Sequence, residues 1–145
     1  MSSAPPFTAE VRKLSRQCLC EPAEVLIIPC GGGSNCGQST SQAAALLTQE
    51  GVGEIYCLAG LAAHIPEMIE TAQQARRICV LDGCSFQCAR KTVEHVGLKV
   101  TDHLDLAAEE LTKTREFQRV QQEVLFIVKL AKQMLRKPAK GASGS

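Results

Sequence analysis

The stretch RRICVLDGCSFQCARKTVEHVG, residues 76–97, changes from one hydrophobic pattern to another at its centre. Residues 76–83 contain a short apolar run, 78–81, that stops at Asp82 and is typical of a buried strand. Residues 84–97 have helical composition and end at Gly97, a common residue type just after a helix. A strand followed directly by a helix predicts one unit of a parallel βαβ fold.

The same alternation continues on both sides of this stretch. The predicted strands are 24–30, 54–60, 76–83 and 98–106, and the predicted helices are 38–51, 62–75, 84–97 and 114–136. Short connections and strands that are apolar along their whole length are typical of a parallel sheet covered on both faces. We therefore expect an α/β fold, a small doubly wound, mainly parallel sheet of about four strands with helices on both faces.

The length and composition fit one domain. The chain has 145 residues, of which 45% are hydrophobic and 21% are charged, and this is enough to bury a core without disulfides or metals. Residues 1–23 are expected to form a loosely ordered arm with a short helix near 8–17. Residues 24–136 are expected to form a single α/β domain, and residues 137–145 a disordered tail.

Charge and hydropathy exclude several kinds of partner. The formal net charge is +1, basic residues form no concentrated stripe, and aromatic residues are scarce, so we expect no nucleic-acid partner. No apolar run approaches the roughly 20 residues that span a bilayer, and the N-terminus lacks the apolar segment of a signal peptide. We therefore expect a cytoplasmic protein with no membrane partner, whose protein partners the sequence leaves unknown.

The eight cysteines are the most informative residues for chemistry. Disulfides are rare in a reducing compartment, so clustered thiols indicate metal binding or redox chemistry. Cys79 lies between Ile78 and Val80 and is interpreted as a small buried hydrophobe. Cys18 and Cys20 are interpreted as incidental rather than as a pair that transfers metal.

Four other cysteines are expected to meet at one edge of the sheet. Cys30 ends the first predicted strand, Cys57 lies late in the second, and Cys84 follows the third. Cys84 and Cys88 are expected on the first turn of a helix, where positions i and i+4 share a face. Because ligands bind outside the carboxyl ends of parallel strands, the topology predicts a metal-binding domain, with inert or redox-active thiols as the alternative.

The loop PCGGGSNCGQST, residues 29–40, joins the first strand to the first helix. It lacks the Gly-Lys-Ser/Thr of a P-loop and the spacing of G-x-G-x-x-G. A phosphatase loop would need an arginine where Cys36 stands, six residues after Cys30. The loop is expected either to cap the helix through Ser34 or Asn35 or to wrap a metal or small anion, with both residues donating to the Cys30 sulfur.

Several polar residues are candidates for supporting the thiols. Asp82 is expected to cap the third helix or to hold the turn before it, and Gly83 to permit the sharp change of direction. Asp102 and His103 are expected either at a solvated strand end or as a pair near the thiols. His64 is interpreted as a capping or surface residue.

Three motifs resemble those of the DGC-domain family, small and mostly prokaryotic proteins that are described as zinc-binding. The motifs are CGGGSNCGQ at 30–38, CLAG at 57–60 and DGCSFQCARK at 82–91. The resemblance extends over residues 25–106. It implies a cysteine zinc site, but the family name carries no established reaction.

The resemblance also implies which residues bind the metal. By position, the ligands are Cys30, Cys57, Cys84 and Cys88. The first motif of the family often has a second cysteine where this sequence has Gly33. Cys36 is therefore a possible additional ligand.

Three functions are consistent with the sequence. The first is a zinc-binding protein with a closed thiolate site in a structural, sensing or metal-handling role, because catalytic zinc usually keeps a position open for water. The second is a thiol redox enzyme that uses Cys84 with Cys88 or Cys36. The third is an iron–sulfur protein. Zinc is the expected cofactor, and the sequence does not decide whether the protein is an enzyme.

Overall fold

The computed structural model describes residues 22–109 and 111–139. Within these two ranges, no helix is both long enough and apolar enough to cross a membrane. Several sequence predictions concern residues outside the ranges: most of the arm 1–23 and of the tail 137–145, the helix near 8–17, and Cys18 and Cys20.

One parallel sheet of four strands forms the centre of the described fold. The strands are β1 (Val25–Pro29), β2 (Glu54–Ile55), β3 (Arg77–Asp82) and β4 (Asp102–Asp105). Their order in the sheet is β2-β1-β3-β4, and every neighbouring pair is parallel. This confirms the predicted α/β fold.

Among the residues that the structure describes, five helices cover the two faces of the sheet. They are α1 (Asn35–Gln49), α2 (Leu58–Ala62), α3 (Pro66–Gln73), α4 (Cys88–His95) and α5 (Val120–Arg136), and a 3₁₀ turn (Phe117–Arg119) precedes α5. Helices α1 and α5 pack on one face, and the three short helices pack on the other. Alternate residues of β1 and β3 face the two cores: Ile27 and Cys79 belong to one, Leu26 and Ile78 to the other. Burial on both faces explains why these strands are apolar along their length.

The predicted second strand, 54–60, is wrong beyond Ile55. Strand β2 lies at the edge of the sheet and pairs with β1 alone, through two residues. Cys57 then starts α2, because its sulfur accepts a hydrogen bond from the Gly60 N–H at 3.4 Å. The predicted helix 62–75 is wrong at its start: Ala62 ends α2, and α3 begins only at Pro66, because proline disfavours a helical conformation at the residue before it.

Strand β4 is shorter than the predicted range 98–106. The N–H groups of Gly97 and Leu98 donate back to carbonyl groups of α4, at Glu94 and Val93. These two residues therefore complete the end of the helix and do not join the sheet. Pairing with β3 begins only at Asp102.

The buried thiol of Cys79 is expected to make stability depend on pH. Burial raises the pKa of Cys79 from 9.0 to about 12, and the side chain is fully buried, as predicted. As the pH rises from 9 towards 12, the unfolded chain loses this proton before the folded chain does. The free energy of unfolding should therefore fall, by up to about 1.4 kcal/mol per pH unit.

Urea unfolding under reducing conditions on either side of pH 9 measures this effect. The Cys79→Ala variant is the control, because it lacks the thiol and should lose less stability than the wild type over the same pH interval. Equal losses in the two proteins would show that Cys79 does not carry the effect.

Candidate metal centre

A cavity of about 560 Å³ lies at the carboxyl ends of β1 and β3. Cys30, Cys84 and Cys88 line it, together with the glycine loop after β1 and the segment 113–115. From these two adjacent strands the chain leaves towards opposite faces of the sheet, which is where open parallel sheets bind ligands. The topology therefore brings three of the predicted metal ligands to one cavity.

Cys30 continues directly from β1. Its backbone N–H donates to the Leu81 carbonyl at 2.9 Å, which extends the pairing with β3 by one residue. Its sulfur accepts a hydrogen bond from the Gly83 N–H at 3.3 Å and lies 3.6 Å from the Thr40 hydroxyl. Hydrogen bonds to sulfur are typical of thiolate metal sites, where they disperse negative charge.

The glycine loop caps α1 through Ser34. The Ser34 hydroxyl accepts a hydrogen bond from the Gly37 N–H at 3.2 Å, so the helix begins at Asn35. The predicted cap by Ser34 is thus confirmed, and the helix starts three residues before the predicted start at residue 38. The prediction that Ser34 and Asn35 donate to the Cys30 sulfur is wrong, because their side chains bond to Gly37 and Thr114. The sulfur instead contacts the Gly83 N–H and the Thr40 hydroxyl.

The prediction that Cys84 and Cys88 share the first turn of a helix is wrong. Helix α4 begins at Cys88, and Cys84 lies in a turn that is closed by a hydrogen bond from the Gln87 N–H to the Cys84 carbonyl. Gln87 has a left-handed backbone conformation, with φ of 54°. Cys84 and Cys88 therefore reach the cavity from a turn and from a helix, respectively.

Asp82 explains where α4 begins. Its carboxylate is 1% exposed and accepts hydrogen bonds from the N–H groups of Ala89 at 2.9 Å and Arg90 at 3.2 Å. This confirms the capping role predicted for Asp82. The same carboxylate lies 2.8 Å from His103 Nε2, so it orients both the start of α4 and the imidazole of His103.

The predicted pairing of Asp102 with His103 near the thiols is wrong. Asp102 lies at the other end of β4 and forms an ion pair with Arg77. His103 contacts Asp82, a residue of the cavity wall, but does not itself line the cavity. Successive residues of a strand point to opposite faces, which separates the two side chains.

Asn35 holds a segment over the mouth of the cavity. The segment is residues 112–115, here called the strap. Asn35 accepts a hydrogen bond from the Thr114 N–H at 2.6 Å and donates from its amide to the Thr112 carbonyl at 3.0 Å. Its backbone N–H donates to the Thr114 carbonyl at 3.1 Å. These bonds keep the strap out of the helix predicted for 114–136, which begins at Val120.

Glu123 fixes the orientation of Asn35. It is 7% exposed and accepts hydrogen bonds from the Asn35 amide at 2.6 Å and the Ser39 hydroxyl at 2.7 Å. Glu123 was not among the residues predicted from sequence patterns to support the site. The available signal was its position between Val120 and Val124 on the apolar face of α5, where an acidic residue is unusual.

The strap brings Lys113 to the thiols. Lys113 Nζ lies 3.6 Å from Cys84 Sγ and 5.0 Å from the centre of the Phe86 ring. Sequence patterns gave no indication of this contact, because the strap is placed by Asn35, far away in the chain. The result is a positive charge beside one of the three cavity sulfurs.

Two further candidate ligands lie outside the lining of the cavity. Cys36 is fully buried in the first turn of α1, and its sulfur lies 3.7 Å from the Thr112 carbonyl. Burial, and then the charges of Glu123, Cys84 and Cys30, raise the pKa of Cys36, so this residue favours the thiol form and lies near two of the cavity sulfurs. Cys57 is exposed and its sulfur caps α2.

The donor set fits zinc by chemistry, because three thiols line one cavity. Among residues 22–109 and 111–139, no three His, Cys, Asp or Glu side chains are already grouped closely enough to hold a metal. Binding of zinc would therefore require the segments that carry Cys30, Cys84 and Cys88 to move closer together.

The close packing of Gly37 predicts a sensitive position. A Cβ atom at Gly37 would overlap the backbone of Gly32, whereas one at Gly33 would meet nothing within 4 Å. Gly37→Ala should displace the glycine loop and lower the free energy of unfolding by about 1–3 kcal/mol. Gly33→Ala, the matched control, should change it by less than about 0.5 kcal/mol. Urea unfolding of both variants measures the difference, and equal effects would contradict the packing described here.

These observations define a class of protein: a small parallel α/β fold with thiols around a cavity at the carboxyl edge of the sheet. The chain belongs to the DGC-domain family, because a family model described as "DGC domain" matches residues 26–130. This confirms the resemblance found in the three motifs.

The chain is also similar to a curated protein, the anaerobic and virulence modulator AnvM of Pseudomonas aeruginosa strain PAO1. The two are 31% identical over 88 residues, which cover 61% of this chain and 67% of AnvM. No solved structure matches the chain significantly.

Proposed function

We propose that the protein binds one zinc ion through Cys30, Cys84 and Cys88 and that this site has a sensing role. The observation that carries the proposal is that these three thiols, from separate segments, line one cavity. Thiolates are the preferred ligands of zinc in proteins. As a Lewis acid, the zinc would accept electron pairs from the three sulfurs and so link the three segments that carry them.

Metal binding would rearrange one side of the cavity. Zn–S bonds of about 2.3 Å in a tetrahedron place the sulfurs roughly 3.8 Å apart. We expect the turn that carries Cys84 to provide this movement, since Cys30 is anchored by β1 and Cys88 by α4. Its movement would shift Phe86, which is 67% exposed, and Lys113 beside it.

A sensing role follows from the openness of the site. Structural zinc is usually enclosed by four protein ligands, whereas here Cys88 is exposed and the cavity opens to solvent beside Phe86. The name of AnvM describes a modulator, and we propose a regulatory role of that kind for this chain. The proposal includes a reducing, cytoplasmic location, in which the thiols stay available for metal.

The proposed site has three cysteine ligands, whereas the family resemblance implies four and a possible fifth. Cys57 remains a predicted ligand, although its sulfur caps α2 in the structure. Cys36 is directed towards the Thr112 carbonyl. Serine variants of the five cysteines separate a site of three protein sulfurs from one of four.

A second candidate function is thiol–disulfide exchange. It is favoured by the Lys113 ammonium beside Cys84, because a nearby cation is typical of reactive cysteines. In this reaction Cys84 and Cys88 would form a disulfide, and their two electrons and two protons would reduce a substrate disulfide to two thiols. Cys36 is a poorer partner than Cys88 because it is fully buried.

Metal analysis of protein purified under reducing, oxygen-free conditions tests the proposal. We expect one zinc per chain and no visible absorbance. We also expect zinc to protect Cys30, Cys84 and Cys88, but not Cys57, from alkylation. Metal-free protein with a reversible Cys84–Cys88 disulfide would instead support the redox function, and visible charge-transfer bands would indicate an iron–sulfur cluster.

A further inference from the structure

We propose that the cavity binds the phosphate group of a small phosphate ester through Lys113, Arg115 and the glycine loop. This inference goes beyond the proposed zinc site and needs no metal. Three features of the cavity carry it: two cations that have no ion pair, hydrogen-bond donors that have no acceptor, and an apolar wall.

The strap places the two cations at the cavity. Lys113 and Arg115 both line it, and neither forms an ion pair with a carboxylate among residues 22–109 and 111–139. Lys113 Nζ lies 3.6 Å from Cys84 Sγ and 5.0 Å from the centre of the Phe86 ring. A phosphate monoester carries a charge of about −1.5 to −2 at pH 7, so one such group balances the two cations.

The acidic side chain in the cavity wall is already bound within the protein. Asp82 is the one carboxylate among the described residues that line the cavity. It accepts hydrogen bonds from the N–H groups of Ala89 and Arg90, and it contacts His103 Nε2. Its oxygens are therefore not available to the two cations. The cavity keeps an excess of positive charge, which favours an anionic ligand.

Backbone acceptors at the cavity are used within the protein, whereas backbone donors remain. The Gly32 carbonyl accepts a hydrogen bond from the Gln38 amide at 2.9 Å, and the Thr114 carbonyl accepts one from the Asn35 N–H at 3.1 Å. In the part of the chain that the structure describes, the N–H groups of Gly32 and Gly33 have no acceptor. A cavity that offers donors suits an anion, because the oxygens of an anion only accept.

Two hydroxyl groups in the cavity lining add to these donors. The Ser34 hydroxyl accepts from the Gly37 N–H, and the Thr114 hydroxyl accepts from the Glu116 N–H at 3.0 Å. Neither hydroxyl donates to a described residue, so both hydrogens are available to a ligand. A carboxylate offers about four lone-pair sites on two oxygens, which are fewer than the donors present. The three strong acceptor oxygens of a phosphate group match them better.

The positions of the two cations are built into the fold. Asn35 binds the strap on both sides of Lys113, at the Thr112 carbonyl and at the Thr114 N–H. Buried Glu123 in turn holds the Asn35 amide. The strap is therefore positioned before any ligand binds, and this lowers the entropic cost of binding.

The cavity has room for an organic group beside the phosphate. Its volume is about 560 Å³, and Phe86, which is 67% exposed, provides an apolar wall. A Cβ at Gly33 would meet nothing within 4 Å, so this side of the cavity is open too. An apolar group on the phosphate would cover part of the Phe86 ring, and removing apolar surface from water adds to affinity. This favours an ester over inorganic phosphate.

Calorimetric titration of the full, reduced, metal-free chain tests the inference, with phenyl phosphate as the probe. We expect one molecule to bind per chain. Inorganic phosphate should bind about threefold more weakly, because it lacks the ring that packs on Phe86. Benzoate has the ring but carries a single charge on two oxygens, so it should bind about tenfold more weakly than phenyl phosphate.

A double variant tests the role of the cations. Lys113→Gln with Arg115→Gln should weaken the binding of phenyl phosphate by more than about tenfold, because charge-assisted hydrogen bonds are lost. Both side chains are exposed, so the fold should persist. The control, Lys129→Gln with Arg136→Gln, changes the charge equally at exposed positions of α5 outside the cavity. It should stay within about twofold of the wild type.

Phe86→Ala tests the apolar wall separately. Phenyl phosphate and inorganic phosphate should bind this variant equally tightly, because the contact with the aromatic ring is gone. The ratio of the two affinities is the measured quantity, so a change that affects phosphate binding itself cancels. A ratio that stays at the wild-type value would contradict the assignment of Phe86 as the wall that contacts the ester.

The outcomes separate this inference from the proposed zinc site. If phenyl phosphate does not bind, or if the control double variant loses as much affinity as the cavity variant, the inference is wrong. If inorganic phosphate or benzoate binds the wild type as tightly as phenyl phosphate, the assignment to a phosphate ester is wrong. Metal analysis tests the zinc site independently: a chain that binds phenyl phosphate as expected but no zinc would leave this inference standing and contradict the proposed function.

Discussion

Replacing Cys84 by serine is expected to lower the zinc affinity of the chain by more than about a hundredfold. Loss of a residue that merely supports a metal ligand costs about 10- to 100-fold in affinity, and loss of a ligand should cost at least as much. Cys84 lines the cavity and lies in the turn just before α4. Competition with a chromophoric zinc chelator measures the change.

Cys57→Ser is the matched control for this prediction. Both variants replace a sulfur atom by an oxygen atom, but the Cys57 sulfur caps α2 and does not line the cavity. The control should therefore keep its zinc affinity within a few-fold of the wild type. A loss as large as that in Cys84→Ser would show that Cys57 is a ligand, as the family resemblance implies.

The largest loss of stability is expected from Asp102→Ala, about 3–5 kcal/mol in the free energy of unfolding. The carboxylate receives two hydrogen bonds from Arg77, at 2.6 and 3.0 Å, and the two side chains are 5% and 10% exposed. This hydrogen bonding raises the pKa of Arg77 above its usual value, so the guanidinium stays charged. The variant would leave that charge buried without its partner.

Glu94→Ala provides the comparison for Asp102→Ala. Glu94 pairs with Arg90 at 3.0 Å on the surface of α4, where both side chains are about half exposed. Pairs of this kind contribute roughly 0.3–0.5 kcal/mol. Urea unfolding of both variants tests the difference, and a loss below about 1 kcal/mol for Asp102→Ala would mean that the ion pair is not important for stability.

The central sheet was predictable because its signal is local. Strands β1 and β3 are buried on both faces, and so their sequences are apolar without interruption. Their shared direction then placed Cys30 and Cys84 at one edge. The length of strand β2 was predicted wrongly. An edge strand pairs with one neighbour only, and its amino-acid composition does not show where that pairing ends.

The start of α4 and the strap were beyond prediction for a different reason. Residues 84–87 have helical composition, but the carboxylate of Asp82 bonds to N–H groups at Ala89 and Arg90 and so starts the helix at Cys88. The contacts of Asn35 with the strap and with Glu123 join residues that are 77 to 88 positions apart. No local sequence pattern indicates such long-range contacts. The placement of Lys113 and Arg115 at the cavity was therefore not predictable from the sequence.

A crystal structure of the zinc-loaded protein, with anomalous data at the zinc absorption edge, tests the central claim most directly. We predict one zinc peak in the cavity between β1 and β3, with the sulfurs of Cys30, Cys84 and Cys88 each about 2.3 Å away. A peak held by other residues, or a cavity without zinc at stoichiometric metal, would contradict the proposal.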